Sequence, residues 1–177
     1  AVSGCPVEDT LSRLEALIDQ SLVVRQPGIA LASPRFTMLE TIREYGLEQL
    51  TELEDFVSVR RAHADWVIAF CEACWTAIVV RFESGWLEQI DAERDNVRSA
   101  LAWLESANDG EGLLRLAGAA EPLWNYRSYR GEGRAWLERA LEQARDVTVP
   151  PDALIRALLS AGFLARNQGD YPRAIAH

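Results

Sequence analysis

The sequence contains no lysine, so arginine supplies all 18 basic residues. A lysine ammonium binds phosphate in loops of the Gly-Lys-Ser/Thr type, and a lysine amine forms Schiff bases. The absence of lysine excludes a self-contained nucleotide hydrolase of the phosphate-loop or kinase type, and it excludes a Schiff-base enzyme. Any ATPase chemistry would have to reside on sequence outside these 177 residues.

Cysteine and histidine are scarce as well. The three cysteines, Cys5, Cys71 and Cys74, are too few for a disulfide framework in a chain of this size. Cys71 and Cys74 have the spacing of a redox or zinc pair, but they lie within an apolar helical pattern with only His63 nearby. We expect buried thiols and no metal. Isolated histidines, His63 and His177, do not support acid–base catalysis, so we expect no enzyme.

Basic charge and long apolar runs are also lacking. The formal net charge is −9, and the first 61 residues contain six arginines and ten acidic residues. Nucleic-acid binding through counterion release needs a concentrated basic face, which is missing here. No uninterrupted apolar run approaches the roughly 20 residues of a membrane span, and the first residues lack the basic-then-apolar order expected of a secretory signal. These features predict a soluble, cytoplasmic chain without direct nucleic-acid or membrane binding.

The first third of the chain has the pattern of a short β-hairpin between two helices. A helix is predicted over 10–20 and a strand over 21–25, and the link 27–34 contains Pro-Gly and Ser-Pro breaks. A second strand is centred on Phe36, and helical spacing begins at Leu39. This order is that of the back half of a winged helix, so residues 1–58 are predicted to form a partial winged-helix region.

Apolar alternation also predicts how the two strands pair. Leu22 and Val24 are expected to face Phe36 and Met38 across the hairpin. The hairpin is expected to pack on the helix at 10–20.

The remainder of the chain, 59–177, has almost continuous helical patterns. Helices are predicted at about 59–80, 85–106, 111–127, 131–146 and 152–167, with a sixth beginning at Pro172. Short links make sequential helices antiparallel neighbours.

The last two helical pairs have similar sequences. The stretch 157–174, ALLSAGFLARNQGDYPRA, resembles a tetratricopeptide repeat, with Gly162 and Ala174 at the small positions of its two helices. A shift of 41 residues places Gly133 under Ala174 and Trp124 under Ala165. The predicted fold is therefore mainly α, a partial winged helix with a short β-hairpin followed by a tetratricopeptide-like antiparallel helical solenoid. We expect the concave face of a right-handed solenoid to carry function, and we expect both chain ends to be cut from a longer protein.

Six blocks together resemble bacterial regulators of the signal-transduction ATPase class with numerous domains, the STAND class. They are DQSLVV (19–24), RFTMLETIREYGLEQL (35–50), RRAHADW (60–66), WLEQIDAERDNVRSALAWL (86–104), EGRAWLERAL (132–141) and LLSAGFLARNQGDY (158–171). The resemblance implies the end of an NB-ARC-like ATPase module joined to the start of a helical-repeat sensor. ATP or ADP is then expected on a missing upstream domain and no cofactor in this chain. The implied partners are that ATPase domain and a protein or small-molecule signal on the repeats.

The resemblance also implies a nucleotide contact at the junction of strand and helix. Related ATPases carry Met-His-Asp there, and Met38, Leu39 and Glu40 occupy the corresponding positions, followed by Arg43. Leu39 cannot donate a hydrogen bond to phosphate as the histidine does. The favoured interpretation is that Met38, Leu39 and Ile42 pack in the core of the winged helix, while Arg43 pairs with Glu40.

A cluster at a predicted helix end has the composition of a protein-interaction surface: Trp124, Tyr126, Arg127, Tyr129 and Arg130. The other tryptophans are expected between helices.

Two functions remain open. The favoured one is a non-catalytic module that couples a sensor to an ATPase switch, and the alternative is a DNA-binding winged helix. The helix at 10–20 offers Arg13 and Gln20 to DNA, but also Glu15 and Asp19.

Overall fold

The computed structural model describes residues 7–26, 35–51 and 55–176. Over these residues the chain is mainly helical and has one two-stranded antiparallel sheet. It divides into two compact units, Ala1–Ala62 and His63–His177.

The first unit contains the predicted hairpin between two helices. Helix α1 (Val7–Asp19) is followed by β1 (Val23–Gln26), β2 (Arg35–Met38) and α2 (Glu40–Thr51). The turn after α1 has Ser21 at a positive φ of 58°, and the amide of Leu22 donates to the Leu17 carbonyl over 3.0 Å, which closes the helix end. β1 packs against α1, as predicted. The predicted link 27–34 lies outside the described residues.

The strand register differs from the predicted one by a single residue. Val23 lies opposite Met38 and Arg25 lies opposite Phe36, so the expected pairing of Leu22 and Val24 with these residues is wrong. The burial explains the register, because Val23 is 5% exposed whereas Val24 is 49% exposed. A one-residue slip moves every side chain of a strand to the other face, so the buried valine fixes the pairing.

The second unit is built from the predicted helical segments. Helix α3 (Phe56–Trp75), which begins in the first unit, continues as a π-helical segment, Thr76–Val80. It is followed by α4 (Trp86–Ala92), α5 (Arg94–Ser106), α6 (Gly110–Ala119), α7 (Glu121–Tyr126), α8 (Arg130–Gln143), α9 (Pro151–Asn167) and α10 (Tyr171–Ala176). Two predicted helices, 85–106 and 111–127, are therefore each divided in two.

Pro122 explains the break between α6 and α7. In a continuous helix the amide of residue 122 would donate to the carbonyl of Gly118, but proline has no amide hydrogen. The Gly118 carbonyl instead accepts a hydrogen bond from the Ser160 hydroxyl on α9, at 3.1 Å. The break thus frees an acceptor that ties α6 to α9.

Helices α6 and α9 run side by side in the same direction. Gly118 contacts Ser160, and Asn125 accepts a hydrogen bond from the Asn167 side chain at 2.9 Å, so both contacts join residues 42 apart. A constant separation means that the α6–α7 pair and α9 are parallel. α9 also packs against α8 and α10, and α6 packs against α5 and α8.

The core of the second unit is apolar and rich in leucine and alanine. Its largest fully buried side chains are Trp124, Ile90, Leu101, Leu104, Leu113, Leu114, Leu116, Leu123, Leu137, Leu164, Val67 and Val97. Gly133 in α8 lies so close to the Trp124 ring that a Cβ atom there would be 2.3 Å from the Trp124 Cγ. The predicted small position at Gly133 is therefore a close contact between α7 and α8.

Among the described residues, one helical run, Phe56–Val80, is long and apolar enough to span a membrane by length and composition. Charged residues interrupt it, including Arg60, Asp65 and Glu72. Six of its buried residues belong to the apolar core of the second unit: Ala64, Val67, Ile68, Cys71, Cys74 and Ile78. A core helix passes the same length and composition test, so the run is weak evidence for a membrane span.

Candidate interaction surfaces

The junction between β2 and α2 is exposed to solvent. Met38 is half-buried, and Leu39 is 62% exposed. The interpretation that Leu39 packs in a core is therefore wrong within this unit. α2 contains no fully buried residue among those described. An apolar side chain at this exposed position can contact another protein surface, but it provides no donor to a phosphate.

Arg43 and Glu40 form an ion pair one helical turn apart, as the favoured interpretation predicted. The Arg43 Nε donates to the Glu40 carboxylate over 3.2 Å, and a second guanidinium nitrogen donates to its other oxygen. The hydrogen bond from Arg43 lowers the pKa of Glu40 below its usual value. Both side chains are at least half exposed, so the pair contributes little to stability. The Arg43 charge is offset locally by Glu40.

The two cysteines of the Cys-x-x-Cys pair are buried free thiols. Burial raises the pKa of Cys71 well above its usual value and raises the pKa of Cys74 to about 12. Thiols with raised pKa values are poor nucleophiles and poor metal ligands at neutral pH. No group of three or more potential metal ligands occurs among the described residues.

The predicted interaction cluster is divided by the structure between core and surface. Trp124 is fully buried against Gly133, so it does not belong to a surface. The reason is the glycine, because its missing side chain leaves room for the indole ring between the helices. Tyr126, in contrast, is 58% exposed.

Tyr129 of the predicted cluster connects α8 to α5. Its hydroxyl accepts a hydrogen bond from Arg94 at 2.9 Å, and the guanidinium groups of Arg94 and Arg98 lie 5.5 and 5.3 Å from its ring centroid. Arg98 also forms two hydrogen bonds with Glu132, at 2.8 and 2.7 Å. Partial burial of Tyr129 against the core and this paired geometry make it mainly a packing residue.

The two arginines of the cluster are held near the same helix end. Arg127 lies 3.3 Å from an Asp91 carboxylate oxygen, and the Arg130 Nε donates to the Asn125 side chain over 3.3 Å. Both arginines are partly exposed. Tyr126, Arg127 and Arg130 form what we call the α7–α8 surface. It offers an aromatic ring and cationic side chains whose positions are fixed by neighbouring polar groups.

A second ionic cluster had no counterpart in the predictions. Glu72 of α3 accepts two hydrogen bonds from Arg115 of α6, both at 3.0 Å, and Arg156 of α9 lies 3.3 Å from the same carboxylate. The Arg156 guanidinium also lies 5.1 Å from the Trp75 ring centroid. Arg115 and Arg156 are 41 residues apart, the shift found by aligning the two helical pairs. Because Arg115 and Arg156 occupy corresponding positions under the 41-residue shift, the sequence contained a signal that could have identified this pair of arginines.

Glu121 is the most buried acidic side chain among the described residues and was also missed. It is 6% exposed, and one of its carboxylate oxygens has no hydrogen-bond partner in the described part of the chain. Burial raises its pKa to about 7. A proton therefore neutralises this carboxyl group close to physiological pH.

Comparison with known proteins points to bacterial regulators. The chain is 29% identical over 147 residues to a Mycobacterium tuberculosis protein named "Putative HTH-type transcriptional regulator Rv0890c", and equally similar to proteins of the same description from a second M. tuberculosis strain and from Mycobacterium bovis. The match covers 83% of this chain but 16% of the relatives' length. No protein-family model and no solved structure matches the chain.

Proposed function

We propose that this chain is a non-catalytic regulatory module of a STAND-type transcriptional regulator, in which a tetratricopeptide-like sensor is coupled to a nucleotide switch on another domain. The single observation that carries the proposal is the similarity to HTH-type transcriptional regulators, which extends over most of the chain. Because the chain spans 16% of those proteins, the ATPase and the DNA-binding domain would lie outside it.

The parallel arrangement of α6 and α9 supports the sensor part of the proposal. The contacts of Gly118 with Ser160 and of Asn125 with Asn167 recur at a separation of 42 residues, close to the 41-residue shift between the two helical pairs. In tetratricopeptide-like arrays, first helices of successive repeats stack side by side in this way. The partially exposed α7–α8 surface is then a site for a protein or small-molecule signal.

The exposed strand–helix junction supports contact with the nucleotide-binding domain. Leu39 projects an apolar side chain at the position where related ATPases have a phosphate-binding histidine, and Arg43 is already paired with Glu40. In our proposal, Leu39 contacts the ATPase domain by apolar packing and leaves ADP untouched. Nucleotide state is then transmitted through the domain contact.

The experiment measures ADP release from the full-length gene product. Leu39→His introduces the missing donor and should slow ADP release, whereas Leu39→Ala weakens the apolar domain contact and should speed ADP release, because coupling between the two domains is reciprocal. The 177-residue chain alone should bind neither ATP nor ADP at submicromolar concentration. Submicromolar nucleotide binding by the chain alone, or a full-length product that binds no nucleotide, would contradict the proposal.

The words "HTH-type" in the relatives' names favour a second candidate, direct DNA binding by the first unit. Helix α1 would be the recognition helix, with Arg13 contacting the bases. The residues Glu15 and Asp19 on the same helix oppose this interpretation, because like charges repel the phosphate backbone. Fluorescence anisotropy with duplex DNA at physiological salt separates the candidates: Arg13→Ala should abolish binding if α1 reads DNA, and no binding is expected under the favoured proposal.

A further inference from the structure

Helix α9 carries two apolar stripes on opposite sides, and only one of them is covered. Ala153, Ala157, Ser160, Ala161 and Leu164 form the buried stripe. The second stripe contains Ile155, which is 57% exposed, Leu159, which is 63% exposed, and the half-buried Phe163. The spacing of four residues places these three on one helix face.

Helix α6, unlike α9, is packed against other helices on several sides. Nearly every residue of α6 is buried, including Leu113, Leu114 and Ala117, because the helix lies between neighbours on several sides. One of these neighbours is α9, whose backbone at Ala157 would be 3.1 Å from a Cβ atom placed on Gly118. The part of α6 covered by α9 therefore includes Gly118.

The 41-residue sequence shift relates α6 to α9 position by position. The 41-residue shift between the two helical pairs takes Leu114 to Ile155 and takes Gly118 to Leu159. The uncovered stripe of α9 thus corresponds to the face with which α6 receives α9. Every residue of α6 except the partly exposed Glu111 and Arg115 is buried, whereas α9 has apolar residues on both sides and is buried on one.

From this correspondence we propose that the Ile155–Leu159 face of α9 is the docking surface for a further helical pair of the same polypeptide, whose first helix packs parallel to α9. The proposal rests on the proposed function, in which the chain is one part of a larger regulator. The relatives provide length for such a pair, because the matched region is 16% of each of them.

The chemistry of the occupant follows from the difference between the two faces. Gly118 allows the α9 backbone to approach closely, but the corresponding position in α9 is the large Leu159. The incoming helix therefore needs an apolar face with a small residue opposite Leu159, or it must pack at a greater distance. A charged or strongly polar occupant does not fit, because it would have to desolvate against leucine and isoleucine.

Thiol labelling in the full-length gene product tests this surface directly. Leu159→Cys places a reporter on the face, and Val147→Cys provides a matched control at a 45% exposed apolar position between α8 and α9. Both are made in a Cys5→Ser background. Cys71 and Cys74 are kept, because they are buried and their raised pKa values make them unreactive towards the label. We expect Leu159→Cys to react at least about tenfold more slowly than the control, because a covered thiol reacts only through local opening.

The same variants in the 177-residue chain complete the design. There Leu159→Cys should react as fast as the Val147→Cys control, since the covering helices are missing. Equal rates in the full-length product would overturn the proposal. So would protection in the 177-residue chain that increases with protein concentration, because the occupant would then be a second copy. ADP release does not enter these measurements, so a failure of the proposed nucleotide coupling is distinguishable from a failure here.

Discussion

Replacement of Gly133 by alanine tests the tightest contact described in the second unit. The new Cβ atom would lie 2.3 Å from the Cγ of Trp124 and 2.5 Å from both its Cβ and its Cδ1. These distances are at least about 1 Å shorter than an ordinary carbon–carbon contact of roughly 3.5–4.0 Å. Trp124 is fully buried, so the ring cannot move into solvent to relieve the clash.

Two opposing effects determine how much Gly133→Ala changes the free energy of unfolding. Overpacking of a core costs about 1–3 kcal/mol, and alanine is favoured over glycine in a helix by about 0.5–1 kcal/mol. Overpacking is the larger effect, so the free energy of unfolding should fall by up to about 2.5 kcal/mol. For a chain of this length, 1 kcal/mol corresponds to a shift of about 2–4 °C in Tm.

Gly131 provides a matched control in the same helix. A Cβ atom at Gly131 would meet nothing within 4 Å, so Gly131→Ala should leave stability unchanged or raise it by up to about 1 kcal/mol. Urea unfolding followed by far-ultraviolet circular dichroism compares the two variants. The reasoning would be refuted if Gly133→Ala were as stable as Gly131→Ala, because the Trp124 ring would then have room that the structure does not show.

Three further predictions concern polar side chains. Ser160→Ala should lower the free energy of unfolding by about 1 kcal/mol in urea titrations, because the Gly118 carbonyl loses its hydrogen bond; an unchanged midpoint would contradict this contact. The pKa of Glu121 is raised from 4.5 to about 7, so stability should fall by up to about 3 kcal/mol as pH rises between these values, and Glu121→Gln should remove that fall. A variant with the same pH dependence as the wild type would exclude Glu121 as its source. Glu72→Gln should lower the free energy of unfolding by about 1–3 kcal/mol, because it weakens charged hydrogen bonds to arginine. The control Glu40→Gln, in the exposed ion pair, should leave the thermal midpoint unchanged. Equal changes in thermal midpoint for the two variants would show that the Glu72 cluster is no stronger than a surface pair.

Helical spacing in the sequence was sufficient to predict most of the helices. The predicted segments 131–146 and 152–167 correspond closely to α8 and α9, because glycine and proline mark the links. The breaks at Glu93 and Ala120 were missed. Pro122 was a usable signal for the second break, since its missing amide hydrogen interrupts the helix two residues after Ala120.

The strand register and the candidate surfaces were harder to predict, because they depend on contacts distant in sequence. A four-residue strand has too few alternating positions to distinguish Val23 from Val24 as the buried residue. Trp124 was expected on a surface because tyrosines and arginines surround it in the sequence. Its burial depends on Gly133, nine residues later and on another helix, and composition alone does not reveal such a pairing.

The two arginines that pair with Glu72 become available to it at different times during synthesis of the chain. Arg115 leaves the ribosome before Arg156, and it already occupies both carboxylate oxygens through its two hydrogen bonds. Addition of residues 116–156 requires about 2–8 s at a translation rate of 5–20 residues per second. Helices α3 and α6 can therefore be joined before α9 exists, and Arg156 then arrives at a carboxylate whose position is already fixed. A ribosome-stalled chain ending before Arg156 should accordingly show the α3–α6 contact by cross-linking, while the α9 contact awaits the remaining sequence.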